Sequence, residues 1–141
     1  MTSRQRTAYI GGMTEFTVQL ANRPGMLAAL TELIAEAGVR IEALAAFGIG
    51  EIGIVHIVVE DESTVRGILG RADVTFDERP ILTTHLSAGP SAVAAMAHRL
   101  ADADVNIEAM YLLRTKPDGV EFAVAVDRPA DAARHLQERA S

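Results

Sequence analysis

Apolar and polar residues alternate along 14–21, with Phe16, Val18 and Leu20 on one side and Glu15, Thr17 and Gln19 on the other. A period of two predicts a half-buried strand. After Asn22-Arg23-Pro24-Gly25 the period changes. Leu27, Leu30, Ile34 and Ala37 recur at spacings of three and four and stop at Gly38, the pattern of an amphipathic helix with a glycine end. Val39 to Phe47 is apolar and strand-like, Gly48, Gly50 and Gly53 mark a turn, and Ile54 to Val59 is β-branched apart from His56. Asp61-Glu62-Ser63 predicts a second helix start, with Val65, Ile68 and Leu69 on its inner stripe. A short closing strand is expected at Val74 to Phe76. The third strand carries Val55, Ile57 and Val59 on one face and Ile54 and Val58 on the other, so its far face is expected to be covered too.

The succession then returns. Ile81 to Leu86 predicts a strand, Ala88-Gly89-Pro90-Ser91 punctuates the chain, and Val93, Met96 and Leu100 form a helical stripe. Val105 to Leu113 predicts the next strand, and Lys116-Pro117-Asp118-Gly119 a β-turn. Val120, Phe122, Val124 and Val126 alternate with Glu121, Ala123 and Ala125, and Ala130 to Arg139 reads as a helix. No closing strand is evident before Ser141, so the second copy lacks one or borrows one. The repetition extends to residue identity, which makes it an internal repeat. Val39-Arg40-Ile41-Glu42-Ala43-Leu44 reappears 66 residues on as Val105-Asn106-Ile107-Glu108-Ala109-Met110. The same ungapped offset pairs Leu20 with Leu86, Pro24 with Pro90, Gly53 with Gly119, His56 with Phe122 and Asp61 with Asp127.

The first copy therefore reads β-α-β-β-α-β, the split βαβ or ferredoxin-like order, and the second repeats it as far as its last helix. The predicted class is α+β: two βαββαβ domains with antiparallel sheets and helices on one face. The expected limits are a flexible tail over 1–13, a first domain over 14–78 and a second over 79–141.

Composition narrows where such a chain could work. There is no Cys, which excludes disulfides and zinc-thiolate sites. A net charge of -6 argues against a nucleic-acid surface, and no apolar run approaches the ~18 residues of a membrane span. The N-terminus lacks the apolar core of a signal peptide, so a cytoplasmic protein without membrane or nucleic-acid partners is expected.

Candidate chemistry gathers at the first loop. A helix N-terminus leaves backbone N–H groups unpaired and attracts carboxylates. Gly25 lacks a Cβ and lets a ligand approach, Pro24 stiffens the turn, and the Asn22 amide can both donate and accept, which suits a zwitterion. The alternative is a tight strand-to-helix turn with Asn22 satisfying local backbone groups. His56, His85, His98 and His135 share no metal-ligand spacing, and His56 reads as a hydrogen-bonded core histidine. Ser87 and Ser91 have no base partners and read as caps or turn residues. Asp102, Asp104 and Glu108 straddle a helix end and a strand and read as solvated charges, while Met96 and Met110 stand where the first copy has Leu30 and Leu44 and read as core. No catalytic residue, metal site or cofactor is expected.

A strand, then Asn22-Arg23-Pro24-Gly25-Met26-Leu27 opening a helix, then Ala37-Gly38-Val39-Arg40-Ile41-Glu42-Ala43-Leu44 opening the second strand, resembles the ACT domain. Ala103 to Met110 fits the same signature. The resemblance covers roughly 14–138 and is nearest to small stand-alone proteins of two tandem ACT domains. It implies binding of a free amino acid between paired domains and regulation by changing that pairing, while the doubly apolar third strand and the missing last strand of the second copy favour a partner or a homodimer. The regulatory domain of phosphoglycerate dehydrogenase, also similar, holds its ligand between a loop Asn and a neighbouring domain's strand Asn. Carried over, this implies a site of Asn22, Arg23, Pro24, Gly25, Met26 and Leu27 closed by Asn106 and Ile107. The mate site, from Arg40, Ile41, Ala88, Gly89, Pro90 and Ser91, has lost both amides. A protein-interaction module that no longer binds a ligand, a regulatory subunit of an amino-acid biosynthetic enzyme or of a transcription regulator, is the second expectation; an enzyme or an RNA-binding module of this topology is disfavoured.

Overall fold

The structure, a computed structural model, describes residues 12–137. Residues 1–11 of the expected tail and residues 138–141 lie outside the described part, and Met13 already belongs to the first strand. The elements are β1 (Met13–Ala21), α1 (Met26–Glu36), β2 (Ile41–Ile49), β3 (Ile52–Val59), α2 (Glu62–Arg71), β4 (Thr75–Ser87), α3 (Ala92–Asp102), β5 (Ile107–Lys116), β6 (Gly119–Val126) and α4 (Pro129–Gln137). The chain divides into two compact units, one over Thr14–Arg79 and one from Pro80 onward.

The first unit has strand order β2-β3-β1-β4. Both measured pairings in it, β1 with β3 and β2 with β3, are antiparallel. Phe16 and Val18 from β1 and Val55, Ile57 and Val59 from β3 face Leu30 and Ile34 of α1 and Val65 and Leu69 of α2 in one core, so both helices cover the same sheet face. Only the middle of the predicted α1 stripe is buried: Leu27 is exposed, as is Ala37 beyond the helix end. Asp61 caps α2, its carboxylate accepting from the Thr64 N–H at 3.2 Å and from the Thr64 hydroxyl at 2.7 Å. Those hydrogen bonds, the hydroxyl's first, hold the Asp61 carboxyl below its ordinary range.

The far face of this sheet is covered at one end and open at the other. Val58 and His56 are buried, whereas Ile52, at the hairpin, is exposed. His56 is a hydrogen-bonded core residue, as its position predicts. Its Nδ1 lies 3.1 Å from the Thr17 hydroxyl and 3.4 Å from the carboxylate of Glu15, which is fully buried and also accepts from Arg79 of β4.

The second unit contains the later part of β4, then β6 and β5, again antiparallel. Leu82, Leu86, Val124 and Val126 pack against Met96 and Leu100 of α3 and Ala132, Ala133 and Leu136 of α4. The β-turn is where the sequence predicts it, with Lys116 paired to Gly119 across Pro117-Asp118. No strand follows α4 among the described residues.

Two expectations are corrected. The strands expected separately at Val74 to Phe76 and Ile81 to Leu86 are one 13-residue strand, β4, because extended backbone tolerates the fixed φ of Pro80. The ungapped repeat also fails after the second strand. Thr17 faces His56 and Thr83 faces Ala123, so the β1 and β4 residues stand 66 apart while those of β3 and β6 stand 67 apart. A register shift between Leu112 and Arg114 makes room for one more residue, Leu113. The counterpart of His56 is therefore Ala123 rather than Phe122, and the pairings of Gly53 with Gly119 and Asp61 with Asp127 dissolve. Gly53 corresponds to Val120, and the Asp61 cap to Arg128.

Candidate ligand-binding site

The loop between β1 and α1 is built by Asn22, Arg23, Pro24 and Gly25. Arg23 turns its N–H back to the Ala21 carbonyl at 3.0 Å, and the Met26 N–H reaches the Arg23 carbonyl at 3.4 Å. Gly25 stands at the N-cap of α1 with φ of 89°, a left-handed conformation that favours glycine. A Cβ at Gly25 would meet nothing within 4 Å, so the glycine serves the turn and the space above it is open. No side chain caps α1. Among the described residues the N–H groups of Gly25, Leu27 and Ala28 have no acceptor. The Met26 N–H is taken by the Arg23 carbonyl and is not free to meet a ligand.

Asn22 is anchored to the hairpin joining β2 and β3. Its backbone N–H donates to the Glu51 carbonyl at 2.9 Å and its side-chain Nδ2 to the Gly50 carbonyl at 2.9 Å. It thus meets local backbone groups, as the turn reading expects, and still lines an open groove of about 180 Å³. Arg23, Met26 and Leu27 line that groove with Leu20, Ala46, Phe47 and Ile54. Pockets for drug-sized ligands run to roughly 300–1,000 Å³, so this one suits a small occupant. Sequence reasoning missed its hairpin side. The signal was there in Gly48, since a glycine inside a strand often marks a close approach.

The other expected residues lie elsewhere. Asn106 precedes β5, where its N–H donates to the Asp127 carboxylate at 2.9 Å and its carbonyl accepts from the Asp127 N–H at 3.2 Å. Ile107 opens β5 and Ile41 opens β2, each half-buried beside its own core. Neither they nor Asn106 lines the groove. Arg40 is exposed and ion-paired, 2.8 Å from Glu42 and 3.8 Å from Glu60; the Glu42 hydrogen bond raises its pKa further. Ala88, Gly89, Pro90 and Ser91 form the loop before α3 and repeat three backbone bonds of the first loop. Gly89 donates to Ser87 at 3.0 Å, Ala92 to Gly89 at 3.4 Å and Ala95 to Ser91 at 2.9 Å. They differ at the cap, where Ser91 takes a right-handed conformation with φ of -101°. Among the described residues no group of His, Cys, Asp or Glu is arranged to hold a metal, and no helix is long and apolar enough to cross a membrane.

Residues 16–71, from β1 through α2, match the family described as "AHAS small subunit-like ACT domain". The first unit is similar to an ACT domain over these residues, and the chain has the fold of two such domains in tandem. The matched stretch holds the Asn22 loop and the groove, and the second unit repeats the arrangement of core and loop. The tandem fold is similar to that of a Bacteroides thetaiotaomicron protein, at TM-score 0.81 and 20% identity over 90% of this chain and 88% of that one. The ligand-free regulatory subunit of aspartate kinase from Thermus thermophilus gives TM-score 0.65 at 16% identity, with 89% and 91% covered. Aspartate kinase from Synechocystis gives 0.61 at 21%, the match spanning 89% of this chain and 25% of the kinase. At these identities the likeness is one of fold. No curated protein matches the sequence.

Proposed function

We propose that this chain is a tandem ACT-domain protein, a non-enzymatic regulator that senses a free amino acid at the β1–α1 loop of its first domain. The observation that carries the reading is the conjunction there of unpaired N–H groups on Gly25, Leu27 and Ala28, the Asn22 amide, and an apolar groove. The ligand's carboxylate meets those N–H groups at the positive end of α1, with the Arg23 guanidinium adding charge. The ammonium meets Asn22, and the side chain enters the groove beside Leu20, Met26, Phe47 and Ile54. That lining favours a small or branched aliphatic amino acid. The fold likeness to an aspartate kinase regulatory subunit supports a regulatory role. Asn106 and Ile107 keep the part the ACT resemblance implies for them, the second amide and its flank. Arg40, tied to Glu42, and Ala88, with no amide, make the degenerate counterpart.

Ligand and domain packing are then linked, each changing the other's free energy by the same amount. A thermal-shift screen of the twenty amino acids tests this. A ligand at a hundredfold excess over its Kd stabilises by about 2.7 kcal/mol. No shift from any of them at millimolar concentration would sink the sensing role. Asn22→Ala and Asn106→Ala are each expected to weaken binding by about 1 kcal/mol or more and to be non-additive, while Arg40→Ala is expected to matter much less.

A second reading, an interaction module, is favoured by one feature: Phe47, Ile49 and Ile52 of the β2–β3 hairpin are exposed, Ile49 at 68%. Such a tip suits a homodimer contact or a target enzyme or regulator. Light scattering after size exclusion separates the readings, because a strict monomer that binds an amino acid leaves that module without its primary role.

A further inference from the structure

The Asn22 amide lies flat on Gly48. A Cβ there would stand 2.5 Å from Nδ2 and 2.7 Å from both Cγ and Oδ1 of Asn22, its three nearest neighbours. Gly48 does not adopt a left-handed backbone, so its conformation does not call for glycine. The amide does. In the second domain the strand pairing places Thr115 opposite Val120, as Gly48 lies opposite Gly53. Across from Thr115's position, Ala88 stands for Asn22. The first domain has the amide and the space for it; the second has neither.

We propose that Gly48 is a positioning residue of the ligand site: by lacking a Cβ it lets the hairpin hold Asn22 over the groove, and the Ala88 and Thr115 pair leaves the second loop without a site, so one chain takes one ligand. This rests on the amino-acid reading above. Its physical content is separable, because the hold of Gly48 on Asn22 exists without any ligand.

The experiment compares wild type, Gly48→Ala, Asn22→Ala and the double variant. In the absence of ligand, Gly48→Ala lowers the melting temperature by several degrees in the Asn22 protein and leaves it unchanged or slightly raised in the Asn22→Ala protein. It also shifts the Asn22 side-chain NH2 signals in a nitrogen-correlated spectrum. An equal loss of melting temperature in both backgrounds overturns the proposal, since Gly48 would then serve the strand alone. Calorimetry with each of the twenty L-amino acids provides the second arm. Wild type is expected to bind one equivalent per chain, and Gly48→Ala to bind at least tenfold more weakly. Two equivalents per chain, or unweakened binding by Gly48→Ala with the amide signals displaced, would also overturn it. If wild type binds none of the twenty, the sensing reading fails and takes the ligand half of this proposal with it; the ligand-free arm still decides whether Gly48 positions Asn22.

Discussion

Three helices hand the chain on through a left-handed residue: Gly38 after α1, Asp73 after α2 and Asp104 after α3, with φ of 75°, 58° and 62°. Glycine adopts this conformation at little cost, whereas residues with a Cβ are strained there, Asp less than most. Asp73→Gly is therefore expected to stabilise the protein by about 0.5–1 kcal/mol, and Gly38→Ala to destabilise it by about 1 kcal/mol or more, both read from urea unfolding. The charged residues set the pH response. Glu78 is held below its ordinary range chiefly by its hydrogen bond from Arg66, and Asp131 by its hydrogen bond from Arg134. Asp61 is lowered by Thr64. A depressed carboxyl contributes stability that is fully present above its unfolded value, 4.5 for Glu and 3.8 for Asp, and is lost as pH falls through the lowered folded value. The melting temperature is expected to stay level from pH 7 to 5 and to drop below about pH 4. Glu78→Gln should flatten part of that drop; an unchanged acid limb would show the Arg66 pair contributes nothing. None of the three side chains is fully buried, so solvent screens each contribution and keeps it small.

At the level of elements, both copies build a β-hairpin after the first helix but finish it differently. The β2–β3 tip carries Phe47, Ile49 and Ile52, where the β5–β6 tip has Arg114, Lys116 and Gly119. Gly119 is required by space, because a Cβ there would overlap the backbone carbonyl of Leu86 on β4. Gly119→Ala is expected to cost about 1–3 kcal/mol by forcing β4 and β6 apart. Gly89→Ala, in open space, should stay within about 0.5 kcal/mol. Equal losses from the two would mean the overlap is relieved without cost. Periodicity made the elements legible because each strand and helix has one face in a core, and burial writes that face into the residue pattern. The β4 strand was not legible as one piece. Asp77-Glu78-Arg79-Pro80 looks like a break, yet Glu78 and Arg79 are held by Arg66 and Glu15, partners distant in sequence.

At the scale of the molecule, the described residues form two cores. One is centred on Phe16, Ile34, Ile57 and Leu69, the other on Leu82, Met96, Leu100 and Val124. Ile34→Ala and Met96→Ala are each expected to cost about 2–5 kcal/mol, since both side chains are fully buried. Native-state hydrogen exchange should localise the damage: Ile34→Ala quickens α1 and β1–β3 more than α3, β5 and β6, and Met96→Ala does the reverse. Uniform acceleration by either variant would show a single cooperative unit. The sequence by itself determined the α+β class, the order of elements apart from the two strands fused in β4, the two cores and the loop that opens α1. Each of those follows from which positions must be buried or must turn, and that is local information. Only the tertiary structure decided that Met26 spends its N–H on Arg23, that Arg40 is bound to Glu42, and that Leu113 moves the repeat by one residue. It alone also seated the Asn22 amide on Gly48. These are pairings between segments, and a side chain's partner across a sheet depends on register, which a single extra residue in one strand can shift.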